Sequence, residues 1–73
     1  MKHTVRLTNS DIEQTAEVIR DGEVVTVRVL MANGGEIAGW TYDYLAEGFE
    51  PGFAKQEAEY QVERFERVGF TRQ

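Results

Sequence analysis

Apolar and polar positions alternate with a period of two through most of residues 4–45, and the period changes to 3.6 after Pro51. From Thr4 to Thr8, Val5 and Leu7 fall on one side and Thr4, Arg6 and Thr8 on the other, the pattern of a half-buried strand. The run EVVTVRVLM, Glu23 to Met31, is rich in the β-branched residues that suit a pleated surface. The run EIAGWTYDYL, Glu36 to Leu45, alternates again and places Ala38, Trp40, Tyr42 and Tyr44 together. Beyond Pro51, which suits a first helical position, Ala54, Ala58, Gln61, Val62, Phe65 and Val68 form one helical stripe. Glu59, Glu63 and Glu66 lie on the opposite face, and Glu63 and Arg67 make an i,i+4 pair. Gly69 is the expected stop, with Arg67 at the negative end of the helix.

Asp21-Gly22 and Asn33-Gly34 each separate two apolar runs, a strong signal for a β-hairpin. A tight turn at the first pairs Arg20 with Glu23, Val18 with Val25 and Ala16 with Val27. A tight turn at the second pairs Val29 with Ala38, Val27 with Trp40 and Val25 with Tyr42. Paired residues share a face, so both turns assemble one apolar surface across three strands. A third tight turn at Asn9-Ser10 would extend it, setting Leu7 opposite Ile12, Val5 opposite Gln14 and Arg6 opposite Glu13.

Residues 10–21 admit two readings. Ser10-Asp11-Ile12-Glu13 fits a helical capping box, with Ile12, Ala16 and Ile19 at helical spacing and Gly22 as the stop. Against it, Thr15, Val18 and Ile19 are β-branched, and the hairpin register at Gly22 works without adjustment. The expected fold is therefore α+β: a four-stranded antiparallel meander with one C-terminal helix packed across its apolar face, Trp40 buried between the two layers. The alternative is βαββα.

Length and composition narrow the setting. The 73 residues suffice for one domain, and a core of this size supplies roughly 3–5 kcal/mol, so few residues are spared from packing. There is no cysteine, which excludes disulfides, thiolate metal sites and a cysteine nucleophile, and favours a cytoplasmic home over a secreted one. No apolar run is long enough to span a membrane, and Met-Lys-His-Thr-Val-Arg does not open a signal peptide. The formal net charge is −5. Residues 43–66 hold seven acids, Asp43, Glu47, Glu50, Glu57, Glu59, Glu63 and Glu66, against Lys55 and Arg64, which is −5 in that stretch alone.

Candidate chemistry is sparse. His3 is the single histidine, near the N-terminus where a solvated tail residue is expected. Ser10, the single serine, reads as a turn or cap residue. Neighbouring carboxylates such as Glu59 and Glu63 fall on a solvated face, where nothing raises the pKa of one for acid catalysis. The expectation is a protein that is not an enzyme, with no cofactor and no metal. Trp40, Tyr42 and Tyr44 could stack unpaired RNA or single-stranded DNA bases, but the same face must cover the core and the surroundings are acidic. In GFEPGF, residues 48–53, two phenylalanines flank a proline. Phe49 suits a staple onto the first helical turn, and rings on a loop also make interface anchors.

The functional expectation is a small acidic protein-interaction module. Glu59, Glu63 and Glu66, with Phe49 and Phe53, would meet a basic protein surface, for instance that of a nucleic-acid-binding complex. One version is a phage-type inhibitor masking such a surface on a CRISPR or restriction complex, an analogy from size and charge. The alternative is a small nucleic-acid-binding module using the aromatic stripe.

Overall fold

The computed structural model describes residues 1–73. Its elements are β1 (Lys2–Asn9), β2 (Gln14–Asp21), β3 (Val24–Met31), β4 (Glu36–Asp43), α1 (Phe53–Arg67) and a short β5 (Thr71–Arg72). The strands form one antiparallel sheet in the order β4-β3-β2-β1-β5, and α1 lies across one face. The fold is α+β, a meander with a C-terminal helix, and residues 14–21 are strand. No helix is long and apolar enough to cross a membrane.

The turns decide the register. At the first hairpin the turn residues are Gly22 and Glu23, not Asp21 and Gly22, so Val18 pairs with Val27, Arg20 with Val25 and Ala16 with Val29. A turn on Asp21-Gly22 needs a left-handed backbone at both residues, whereas one starting at Gly22 needs it only at a glycine. Gly22 has φ 61 and Asp21 stays in the strand. The shift is two residues, so the same side chains remain on the same face. At the second hairpin the expected pairs hold: Val25 with Tyr42, Val27 with Trp40 and Val29 with Ala38. The loop is longer than expected, closed by Met31 and Gly35, and a bulge at Ile37 sets Leu30 opposite Glu36.

The connection from β1 to β2 is a four-residue turn, Ser10–Glu13, so the capping-box residues cap no helix. Asn9 Oδ1 accepts the Asp11 N–H at 3.1 Å and Glu13 takes φ 53. This length places Leu7 opposite Ala16 and Val5 opposite Val18, in place of Ile12 and Gln14. It buries apolar side chains together and leaves Ile12 exposed. Arg6 meets Glu17 rather than Glu13. On the sheet face away from α1, Glu17 accepts Arg6 Nε at 2.8 Å and Arg28 Nη1 at 3.2 Å, and Arg28 Nε reaches Glu36 at 2.8 Å. The hydrogen bond donated to Glu36 raises the Arg28 pKa above the ordinary arginine value. His3 is not a loose tail residue but an exposed strand position opposite Arg20.

Pro51 lies before the helix rather than in its first turn. Pro51 and Gly52 form the centre of a turn closed by the Phe53 N–H on the Glu50 carbonyl at 3.1 Å. The helix end has no side-chain cap of its own. Instead Glu23, 29 residues away, accepts the Gly52 N–H at 2.8 Å, setting a carboxylate at the positive end of the helix. At the other end Phe70 N–H reaches Phe65 and Gly69 N–H reaches Glu66. This is a Schellman motif with Gly69 in the left-handed conformation its position requires, φ 106. The apolar contact that accompanies the motif is the ring pair Phe65–Phe70, centroids 5.2 Å apart. Phe70 is buried and the chain continues as β5 beside β1, neither of which the pattern had marked.

The core joins Leu7, Ala16, Val18, Val25 and Val27 of the sheet to Ala54 and Val62 of α1, with Tyr44 and Phe70 at its ends. The expected stripe holds at Ala54, Gln61 and Val62, which are buried. Ala58 and Phe65 are packed against the core. Val68 departs from it, standing at the helix C-cap 69% exposed. Helix α1 lies over β1, β2, β3 and β5 and does not reach β4. Trp40 is therefore not sandwiched between sheet and helix.

Candidate interaction surfaces

Two surfaces share the helix-facing side of β4, and the same alternation produces both. Trp40, Tyr42 and Tyr44 point the same way at successive even positions. What lies over them differs.

At the far end of β4 the chain turns back on itself. The Asp43 carboxylate accepts the Ala46 N–H at 3.1 Å, and Phe49 N–H reaches the Tyr44 carbonyl at 3.0 Å. The turn folds Phe49 onto Phe53, rings 4.6 Å apart and nearly parallel, the staple expected of Phe49. Tyr44 packs against Tyr42, Phe49 and Phe53 at centroid distances of 4.6, 5.4 and 5.3 Å. Tyr44 is 8% exposed, while Tyr42 and Phe49 each remain 39% exposed. Burial raises the Tyr44 pKa, and the Glu57 and Tyr42 charges push it the same way. Phe49, Phe53 and Glu50 line one shallow hollow. None of Asp43, Glu47, Glu50 and Glu57 is in an ion pair.

The middle of β4 is uncovered. Between it and the last turns of α1 runs an open-sided groove of about 440 Å³. Val27, Val29 and Ala38 belong to its strand side, with Trp40 beside them and Arg64 and Phe65 on the helix. Trp40 is 38% exposed. Arg64 donates to Gln61 Oε1 at 3.1 Å, and the Arg67 guanidinium sits 5.9 Å from the Tyr60 ring centre. Neither arginine is in an ion pair, so the expected Glu63–Arg67 pair is not formed.

The three helical acids have different surroundings. Glu66 binds Arg72 of β5 at 3.1 Å. Glu59 lines a shallow hollow with His3, Arg20 and Lys55. Glu63 is exposed and in no ion pair. Phe49 and Phe53 are together as expected of neighbours, but Phe53 is held within the ring cluster. Of the three-ring stripe, Tyr44 is buried and Phe49 packs against Tyr42 at 6.4 Å. The residues missed in sequence are Arg64 and Val68 as groove members. Arg64 carried a signal, being a cation one helical turn from Gln61 at the margin of the apolar stripe. No group of three or more histidine, cysteine or carboxylate side chains is placed to hold a metal ion. Comparison with family models, curated proteins and solved structures gives no match to this chain.

Proposed function

We propose that this chain is a non-catalytic protein-interaction module that meets a basic protein surface with its aromatic, acidic end. The observation carrying this reading is the pair of half-exposed rings, Tyr42 and Phe49, held on the buried Tyr44 and accompanied by carboxylates that have no cation. Rings fixed before binding lose little conformational freedom on association and make effective anchors. Uncompensated carboxylates steer a cationic partner and discourage an anionic one. Glu63, exposed on the outer helical face, extends the same field, whereas Glu66 is already occupied by Arg72. A nucleic-acid-binding protein offers the basic surface this reading calls for, and masking it is the inhibitory version.

The test compares binding of arginine-rich and glutamate-rich peptides of equal length across a salt series, read at the backbone amides of residues 42–53. The basic peptide should bind more tightly, with affinity falling as salt rises. Phe49→Ala and the double change Glu47→Lys, Glu50→Lys should each weaken it by about tenfold, and Glu63→Lys should weaken it less. Equal binding of the two peptides, or basic-peptide binding indifferent to both changes, would overturn the reading.

A further inference from the structure

We infer that β4 and the Trp40–Arg64 groove accept an extended, acid-bearing peptide as an added strand of the sheet. This surface is separate from the aromatic end and stands on its own observations.

The first is the edge itself. β4 is the outermost strand, eight residues long, with every residue exposed. The Tyr44 N–H donates inward to Glu23 at 3.0 Å. Alternate residues of an antiparallel strand aim their N–H and C=O groups in opposite directions, so those of Gly39 and Thr41 point away from β3. They form a template for another chain, of the kind that proteins otherwise blunt with proline, lysine or a covering loop. A bulge disturbs this edge only at Ile37, near its start.

The second is what stands beside the edge. Alternate side chains of an added strand would face the groove. One large apolar side chain would lie against Trp40 and Ala38. Its neighbours two residues away on the same face would meet Arg64 and Arg67, the two cations that line the groove without a carboxylate. The complementary partner is thus an extended segment with an apolar residue flanked at two-residue spacing by acids. A second copy of this chain fits less well. The two acids of β4, Glu36 and Asp43, lie opposite Leu30 and Val24 on the face away from α1, so self-pairing would bring no carboxylate to the arginines.

The experiment uses the intact chain and a blocked peptide, Thr-Glu-Thr-Leu-Thr-Glu-Thr, with a control in which both glutamates are lysine. Trp40 is the only tryptophan, so its emission reports the groove directly. The acidic peptide should shift that emission and slow hydrogen exchange at the Gly39 and Thr41 amides. At this edge, by the same two readouts, the lysine peptide should bind at least about tenfold more weakly. Arg64→Glu, a change at an exposed helical position, should reverse that preference. Thr41→Pro removes an outward donor that β3 does not use and should abolish binding while the far-UV spectrum is kept. Failure of the acidic peptide to bind at millimolar concentration would overturn the inference. So would equal action of the two peptides on Trp40 emission, or binding that leaves both amides exchanging at their free rate. Protection of those amides that grows with protein concentration alone, together with sedimentation as a dimer, would assign the edge to a second copy instead.

Discussion

Trp40 on β4 and Tyr44 just past its end lie four residues apart on the same side of the sheet, yet one borders an open groove and the other closes the core. Their local sequence does not distinguish them. The difference comes from what returns over each. The segment after β4 folds back through its own hydrogen bonds and delivers Phe49 and Phe53 onto Tyr44. Helix α1 then departs over the central strands and leaves the middle of β4 bare. An aromatic stripe on a strand therefore specifies a face, while the path of the following chain determines which rings on that face are used for folding and which are left for binding.

The largest expected effect separates these two rings directly. Tyr44→Ala should cost about 3–5 kcal/mol by chemical denaturation, because it removes a buried ring around which three others pack. For a domain of this size that is enough to leave much of it unfolded. Trp40→Ala should cost about 1–2 kcal/mol, since the ring keeps a large part of its surface in water and leaves no enclosed cavity. Equal losses would break the comparison and place Trp40 in the core.

A smaller effect sharpens it. Glu23→Ala removes the carboxylate that holds the Gly52 N–H at the start of α1, and should cost about 1 kcal/mol. The loss should fall on the closed end alone. Amides of residues 49–54 should exchange faster while Trp40 emission stays at the parent value. A shifted emission would show that the two regions are coupled through the helix.

The smallest effect is electrostatic. The Tyr44 phenol has its pKa raised in the folded chain, mainly by burial. The unfolded phenol ionises first, near 10, so the folded state holds its proton longer. Stability from this group is fully present below that pH and is lost as pH rises from there through the folded value. An absorbance titration should show a late component of phenol ionisation, and Tyr44→Phe should remove it. A titration unchanged by Tyr44→Phe except in amplitude would mean that burial does not hold the Tyr44 proton.

Much of the fold was legible because it rests on short-range physics. Past the bulge at Ile37, the even positions of β4 and the odd positions of β3 share a face by the pleat alone, which is why Val25, Val27 and Val29 found Tyr42, Trp40 and Ala38 as expected. Gly69 ended the helix because a left-handed residue is needed there and glycine supplies it. Where a turn could be closed in more than one way the reading slipped. Moving the first hairpin from Asp21-Gly22 to Gly22-Glu23 kept every side chain on its face but displaced the pairs by two residues, a change that alternation cannot detect. Of the candidate site, Phe49 against Phe53 was legible as a staple between near neighbours in sequence. The Glu23 contact to Gly52 was not, since it joins residues 29 apart through a surface turn.

The sequence by itself determined the order of the main elements, the type of each outside residues 10–21, the face most side chains take and the acidic balance of the molecule. These follow from periodicity, backbone preference and charge, all of which are local or additive. Only the tertiary structure decided where the helix lies across the sheet, that Phe70 and β5 close the far edge, and that Arg64 and Trp40 border one groove. Packing sets those outcomes. A helix can bury its stripe against any neighbouring strands of an apolar sheet at similar gain per unit area, so its position is settled by the connection before it and the Schellman turn after it. The strand it fails to cover is where this molecule keeps an open edge.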